Sequence, residues 1–262
     1  MNDSMAVQSD SYNPQYFRKI AEVEDRHFWF GARNRIIGVA VSNIVKDLPD
    51  GYRLLEVGCG TGVVLRYLAG VCDRGEVMGL DLYLEAVAFA KERSGCRVVA
   101  GDVLNPPVAG DFDVIGLFDV LEHLSKESET LQALHRLLKP GGTLVLTVPA
   151  HMSLWSYFDV AACHVRRYEQ AAMNSLLVSN RFEAEYLTEF MVPLFPLLWL
   201  LRRRSGNAPG SEKAATKVAA ELKVVPIVNE ILKGIIGLER FAIDRRWRLP
   251  FGSSLLAIAR RK

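Results

Sequence analysis

Several familiar signatures are missing from this sequence, and each absence narrows the reading. The four cysteines, Cys59, Cys72, Cys96 and Cys163, form no CxxC pair and no zinc-finger spacing. A disulfide scaffold and a structural zinc site are therefore excluded, and reduced thiols are expected. The opening Met1–Asp10 is polar and lacks the apolar stretch of a secretory leader. No uninterrupted apolar run reaches the ~18 residues of a membrane-spanning helix. The longest candidate, Met191–Leu201, is short and carries Pro193 and Pro196. A cytoplasmic location is expected. Charge excess is also missing: 32 Lys+Arg against 30 Asp+Glu leaves +2, so no nucleic-acid partner is expected. What is present is a globular composition, 262 residues of which 50% are hydrophobic and 24% charged, enough for one elaborated domain.

The first fifty residues read as helical, with aromatics at Tyr12, Tyr16 and Phe17 and again at His27-Phe28-Trp29-Phe30. From Arg53 short apolar runs alternate with amphipathic segments, the pattern of βαβ units. Strands are expected at Arg53–Val57, Val77–Asp81, Arg97–Ala100, Phe112–Leu117 and Thr143–Val148, with helices at Val63–Ala69, Leu84–Arg93 and Ser128–Leu138. Pro140-Gly141-Gly142 reads as a turn feeding the fifth strand. A helix at Gln170–Ser179 and strands at Phe182–Glu189 and Ser253–Ala259 follow. Residues 190–252 separate the last two strands, far more than the 2–5 residues of a hairpin loop. They hold the Pro-interrupted apolar run, a hinge-like Ser205–Ser211, and an amphipathic stretch Val225–Arg246. In that stretch Val228, Ile231, Leu232, Ile235, Leu238 and Ala242 recur at helical spacing.

The sharpest local signal is Glu56-Val57-Gly58-Cys59-Gly60-Thr61-Gly62, a strand running into three alternate glycines before a helix. Without Cβ atoms the backbone turns sharply and lets a ligand lie against it. The dinucleotide fingerprint G-x-G-x-x-G would place its third glycine at Val63, so a pyrophosphate cradle is disfavoured. No Gly-Lys-Ser/Thr follows, which excludes a Walker A loop. Asp81 ends the second strand near the ~20-residue offset at which an acid meets a ribose diol. Alone a strand-end Asp is more often a helix cap than a ligand; beside the glycine loop it favours a ribose. Gly101-Asp102-Val103 ends the third strand, where Asp102 can accept from an exocyclic amine and Val103 can flank a ring. Strand ends of an open parallel sheet converge on one crevice, so the three signals describe one adenosine site.

These residues resemble the class I S-adenosylmethionine-dependent methyltransferases. The loop Glu56–Gly62, Asp81, Gly101-Asp102, the Phe112–Leu117 strand with Asp119-Val120-Leu121-Glu122-His123, and Leu137-Leu138-Lys139-Pro140-Gly141-Gly142 match in order across Leu54–Pro149. The core is also similar to the ubiquinone-biosynthesis O-methyltransferases. The resemblance implies an α/β, Rossmann-like, doubly wound seven-stranded sheet with an antiparallel last strand. It implies S-adenosyl-L-methionine as cofactor, held by Glu56, Gly58, Cys59, Gly60, Gly62, Asp81, Leu82, Asp102, Val103, Asp119 and Leu121. The expected organisation is a helical cap over 1–50, a cofactor-binding core over 51–189, a helical insertion over 190–250 and the last strand over 251–262. The family usually joins its last two strands by a tight hairpin, so the insertion is a departure.

Arg33, beside Trp29 and Phe30, is a candidate partner for the cofactor's carboxylate through a fork-like contact, or else a salt-bridge residue. Methyl transfer to an alcohol or phenol needs a base, and histidine titrates in the useful range. His151 is the first candidate and His164, within Asp159…His164…Arg166-Arg167-Tyr168, the second; His123 is a third. Each has a packing or capping alternative. Asp119, Glu122 and His123 share one helical face and admit a metal reading, but a helical N-cap followed by a packing histidine fits the local sequence well. No metal is expected. The acceptor is expected to be a small molecule, sugar or lipid-linked compound, methylated at oxygen. The apolar 190–204 segment, with Trp199 and Arg202-Arg203-Arg204, is expected to touch a membrane peripherally, at its inner face. Two other readings stay open: an NAD(P)-dependent oxidoreductase, and a catalytically silent scaffold of the same fold.

Overall fold

The computed structural model describes residues 15–204 and 226–262. Its strands are β1 (Arg53–Val57), β2 (Glu76–Asp81), β3 (Arg97–Ala100), β4 (Phe112–Phe118), β5 (Leu138–Pro149), β6 (Phe182–Phe190) and β7 (Ser254–Arg261). They form one sheet in the order β3-β2-β1-β4-β5-β7-β6. The first five run parallel, and β7 is antiparallel to both β5 and β6. This is the doubly wound α/β sheet with an antiparallel last strand that the sequence implies.

The described α-helices are α1 (Gln15–Glu24), α2 (Phe28–Val45), α3 (Val63–Val71), α4 (Leu84–Ser94), α5 (Glu127–Leu137), α6 (Tyr157–Ala161), α7 (Gln170–Ser179), α8 (Leu194–Arg204), α9 (Pro226–Gly237) and α10 (Glu239–Asp244). They explain why the strands read as nearly continuous apolar runs, because both sheet faces are covered. Leu54 faces the cluster built with α2 and α3, while its neighbour Leu55 faces the cluster built with α5 and α7. That is the two-residue alternation of a strand buried on both sides.

Three elements differ from the sequence reading. Pro140-Gly141-Gly142 does not precede the fifth strand but lies inside it, as an irregularity where the register against β4 shifts between Phe112 and Val114. Gly141 takes φ +75° there, a conformation open to glycine. The Pro-interrupted run is continuous helix from Leu194. Pro196 falls in its first turn, where the amide has no partner within the helix, so no hydrogen bond is lost. The amphipathic stretch is two helices meeting at Leu238, and only some of the expected apolar positions face inward. Of those positions Ala242 is buried and Leu232 partly so, whereas Ile231, Ile235 and Leu238 are exposed; Ile236 and Ile243, outside the expected set, are buried instead. Tyr12, Ser205–Ser211, Val225 and the side chains of Tyr16, Phe17, Arg203, Arg204 and Val228 lie outside the described residues.

α2 and the insertion hold one another. The Phe28 amide donates to Asn229 Oδ1 at 2.7 Å, and Asn229 Nδ2 donates to the Arg26 carbonyl at 3.1 Å. At the far end Asn43 Nδ2 donates to the Asp244 carbonyl at 3.1 Å. The N-terminal helices and the insertion thus close over the sheet end where β1, β2 and β4 terminate.

Candidate active site

The crevice at that end is a cavity of about 730 Å³. Its floor is the β1–α3 loop, in which Gly58, Gly60 and Gly62 all take positive φ (71°, 52° and 78°). The loop spends its amides internally. Gly58 N and Cys59 N donate to Leu80 O at 2.7 and 3.2 Å, Gly62 N to Cys59 O at 2.8 Å, and Gly60 N to Asp81 Oδ2 at 2.8 Å. Those four amides are unavailable to a pyrophosphate, which agrees with the early third glycine and disfavours the dinucleotide reading.

The glycines have different duties. A Cβ on Gly58 would meet Val120 Cγ2 at 2.5 Å across the cavity floor. A Cβ on Gly62 would meet Ala90 Cα at 2.6 Å. Gly62 does not line the cavity; it lets α3 pack against α4. Cys59 contributes to the cavity wall, while its thiol lies in the small core cluster with Leu65 and Val98, where burial pushes its pKa up.

Glu56, Asp81 and Asp102 all line the cavity, with Leu82 and Val103 beside them. Glu56 is buried, and its Oε2 has no hydrogen-bond partner among the described residues. Burial pushes its carboxyl well above the ordinary range. Asp81 is engaged at both oxygens, Oδ1 accepting from Tyr83 N at 3.0 Å. It thereby combines the two alternatives read from sequence, bracing the turn before α4 while still bordering the cavity. Burial raises its pKa, against the opposing pull of the Tyr83 and Gly60 amides. Asp102 is exposed and accepts from Leu104 N at 2.9 Å.

Arg33 donates from Nη1 to Asp119 Oδ2 at 2.7 Å, and its guanidinium lies 5.0 Å from the Trp29 ring centroid. Both members of this pair line the cavity. Asp119 takes φ +53° immediately after β4, so the chain turns there and aims the carboxylate back toward α2. Leu121 does not reach the cavity. It is fully buried under the sheet, in the cluster with Leu131 and Leu134, while its neighbours Val120 and Glu122 line the crevice.

The histidines separate clearly. His151 does not line the cavity. Its Nδ1 faces Glu169 Oε2 at 2.9 Å and its Nε2 faces Glu189 Oε2 at 2.7 Å. With a carboxylate on each nitrogen it bridges the residue before α7 and β6, apart from the residues that line the cavity. His164 does line the cavity, with Nδ1 on Asp159 Oδ1 at 3.0 Å. Asp159 is fully buried and also accepts from Arg167 Nε at 2.7 Å and Nη2 at 3.1 Å. Burial opposes its ionisation, but His164 and Arg167 outweigh it and hold the carboxyl down to about 2. His123 stacks edge-on to His164 at 4.8 Å, and burial lowers its pKa to about 4.

Glu122 is fully buried, with neither oxygen hydrogen-bonded among the described residues and His164 Nε2 3.9 Å from its Oε1. Burial, then Asp119, pushes its carboxyl well above the ordinary range. Ligand atoms of Glu122, His123 and His164 all lie within 4.8 Å of one another. Asp119, the third member of the metal reading from sequence, is absent from that group and pairs with Arg33 instead. Sequence reasoning missed Glu24, which accepts from Thr61 Oγ1 and from Arg93 Nη1 and so ties α1 to the glycine loop. No motif marks a contact between residues so far apart in the chain.

Residues 55–146 match the family described as "Methyltransferase domain". The chain is 31% identical over 107 residues to a ubiquinone biosynthesis O-methyltransferase from Leptothrix cholodnii, covering 37% of this chain and 44% of that protein. It is 34% identical over 161 residues to a protein of the same description from Xanthomonas axonopodis pv. citri, covering 56% and 66%. The chain thus spans less than half of the first of these relatives. In structure it is similar to a TehB-like SAM-dependent methyltransferase from Corynebacterium glutamicum, with TM-score 0.56 and 17% identity. That likeness covers 95% of this chain and 100% of the other, and it concerns the fold alone.

Proposed function

We propose, from the premise that this chain is a class I S-adenosylmethionine-dependent methyltransferase, that it methylates an oxygen of an amphipathic small-molecule or lipid-linked acceptor. The crevice suits the cofactor. A phosphate-free adenosyl compound needs no amide cradle, and the loop offers none at Gly58, Cys59, Gly60 or Gly62. The unpartnered Glu56 Oε2 suits a cationic amine. Asp81 and Asp102 would hold the ribose and adenine, with Leu82 and Val103 flanking the ring. When bound, the cofactor supplies a methyl group already activated on a sulfonium, so no covalent intermediate with the protein is required.

What the protein adds is positioning, exclusion of water and a proton acceptor. The observation that carries the oxygen reading is the Asp159–His164 pair at the cavity. Asp159, fixed by Arg167, orients the imidazole through Nδ1, and Nε2 is the atom that would take the acceptor's hydroxyl proton. Aliphatic side chains supply the wall toward solvent: Leu194, Leu197, Leu198 and Leu201 from α8 and Leu232 from α9. Such a wall suits an acceptor with an apolar body. The test is mass spectrometry of lipid, polysaccharide and small-molecule extracts incubated with the protein and methyl-labelled cofactor. A labelled, alkali-stable ether in the lipid or small-molecule fraction is expected; label confined to amines would overturn the oxygen assignment.

A second reading of the same cluster rests on the two unpartnered oxygens of Glu122. With His123 and His164 they are an N/O donor set for a divalent cation, and Asp159 would then stand behind His164 as its orienting carboxylate. Elemental analysis of the purified protein, with turnover before and after chelation, separates the readings. Unchanged turnover of metal-free protein supports the base, and restoration only by added metal supports the ion.

A further inference from the structure

α9 and α10 are apolar on two opposite faces, and among the described residues only one of those faces is packed. Toward α2 they bury Ile236, Ala242 and Ile243, with Asn229 capping the α2 amide. Away from it Ile227, Ile231, Ile235, Leu238 and Phe241 are exposed, followed just past α10 by Trp247. Ile227 is 76% exposed, Leu238 73% and Trp247 59%. The spacing of these residues, four, four, three and three, places them in one row on a helical surface. The row continues across the helix junction because Leu238 itself keeps helical angles, φ −70° and ψ −29°.

The rim of this row is cationic. Past Leu238, Arg240, Arg245, Arg246 and Arg248 are exposed against the exposed acid Asp244, since Glu239 is buried; toward the start of the row the exposed Glu230 is paired with Lys233 at 2.8 Å. The Arg245 guanidinium lies 3.3 Å from the Phe241 ring centroid, so aromatic and cation share one edge. We infer that the outer face of α9–α10, with Trp247, rests on the surface of an anionic lipid bilayer. The row lies in the interface and the arginines meet headgroups, as amphipathic helices with basic rims do. A second copy of the chain fits less well, because two-fold packing of this face on itself would set its arginines against each other. The contact is in-plane: among the described residues no helix is long and apolar enough to cross a membrane.

This placement differs from the one expected at 190–204. Arg202 is turned inward, where Nη1 donates to the Leu154 carbonyl and the side chain lines the cavity. α8 instead lines the mouth, since Leu197 and Leu201 both border the cavity and are exposed. Leu232 borders the same cavity from α9, next to Ile231 in the exposed row. A bilayer under α9 would lie beside that opening, so an apolar acceptor could pass from lipid to the cavity without crossing water; this last step rests on the function proposed above, while the docking does not.

Co-sedimentation of the full chain with phosphatidylcholine vesicles, with and without phosphatidylglycerol, tests the docking. Retention on phosphatidylglycerol-containing vesicles at low salt, and release on raising salt, is expected. The triple variant Arg245→Glu, Arg246→Glu, Arg248→Glu should weaken partitioning at least roughly a hundredfold. Leu238→Glu with Phe241→Glu should weaken it at unchanged charge on the arginines. Calorimetric titration of each variant with S-adenosylmethionine should give the wild-type affinity, which reports folding and keeps this test separate from that of the proposed function. Wild-type protein left in the supernatant at low salt would overturn the inference, as would retention unaffected by either variant. So would a concentration-dependent dimer abolished by the Leu238/Phe241 variant with no vesicle retention, which would make the face a contact between copies.

Discussion

Asp81 Oδ2 accepts the Gly60 amide at 2.8 Å, so the acid assigned to the ribose also pins the glycine loop beneath it. The two tasks can be separated by substitution. Asp81→Ala should lower S-adenosylmethionine affinity roughly ten- to a hundredfold, about 1.5–3 kcal/mol for a charge-assisted pair. It should also lower the melting temperature, because the Gly60 and Tyr83 amides lose their acceptor. Asp81→Asn keeps one oxygen acceptor and should lose less stability than the alanine variant while still losing affinity. Calorimetric titration paired with a thermal melt reads both. Wild-type affinity in Asp81→Ala would remove Asp81 from the cofactor site.

His164→Gln should reduce kcat by roughly 10²–10⁴-fold if the imidazole is the proton acceptor, with cofactor affinity retained. His151→Gln should leave the chemical step alone and act through stability, since His151 bridges Glu169 and Glu189 outside the cavity. Equal loss of kcat in both variants at equal stability would reject the distinction.

Asp159 gives this site a pH signature in stability. Its folded pKa is depressed from 3.8 to about 2. Its contribution is therefore present above pH 3.8 and lost as the pH falls through about 2. The size is about 2 kcal/mol. Urea unfolding at pH 6 and pH 2.5 should show wild-type protein losing part of its advantage over Asp159→Asn at the lower pH. An advantage that stays constant would mean that the Asp159 carboxyl is not held by His164 and Arg167 in solution.

The parallel sheet and its strand ends were readable because βαβ units write their period, their turns and their glycines locally. Asp81 and Asp102 are legible as strand-end residues and Glu56 through the glycine-loop motif, and all three line the crevice. Where a candidate residue does not line the cavity, the cause is different. His151 sits one residue past β5, next to the cavity in sequence, but φ +61° turns it toward Glu169 and Glu189. Leu121 points away from the cavity because the chain after β4 enters a 3-10 turn, so alternate residues do not all face the crevice. In the insertion, apolar residues occur on both faces of α9 and α10, so helical periodicity alone could not say which row is inside. Pro196 looked like a break because a sequence does not announce where a helix starts.

Gly62 and Gly58 offer a test of the loop that is independent of any acceptor. Gly62→Ala forces a Cβ to 2.6 Å from Ala90 Cα at φ +78°, so α3 and α4 must separate. A loss of about 1–3 kcal/mol in urea unfolding is expected, with cofactor affinity of the folded fraction little changed. Gly58→Ala meets Val120 Cγ2 at 2.5 Å within the cavity itself and should lower affinity as well as stability. Were Gly62→Ala to abolish binding at full stability, Gly62 would belong to the cofactor contact after all.

Glu239 on α10 clamps the start of the cavity wall. Its carboxyl accepts the Met191 amide at 2.6 Å and the Val192 amide at 2.8 Å, just before α8 begins. Burial pushes its pKa up from 4.5 to about 7, against the pull of those two amides. Between these values the folded protein holds a proton that the unfolded chain has released. Stability therefore falls as the pH rises from 4.5 to about 7 and levels off above it. The size for this one group is about 3 kcal/mol. Glu239→Gln does not titrate and can accept only one of the two amides, because its NH₂ faces the other donor. At pH 5 the wild type should be the more stable of the two, and by pH 8 most of that advantage should be gone. Urea unfolding of both proteins at the two pH values measures it. A wild-type advantage that instead grows with pH would mean that the ionised carboxylate, held by the amides, is the form the fold prefers.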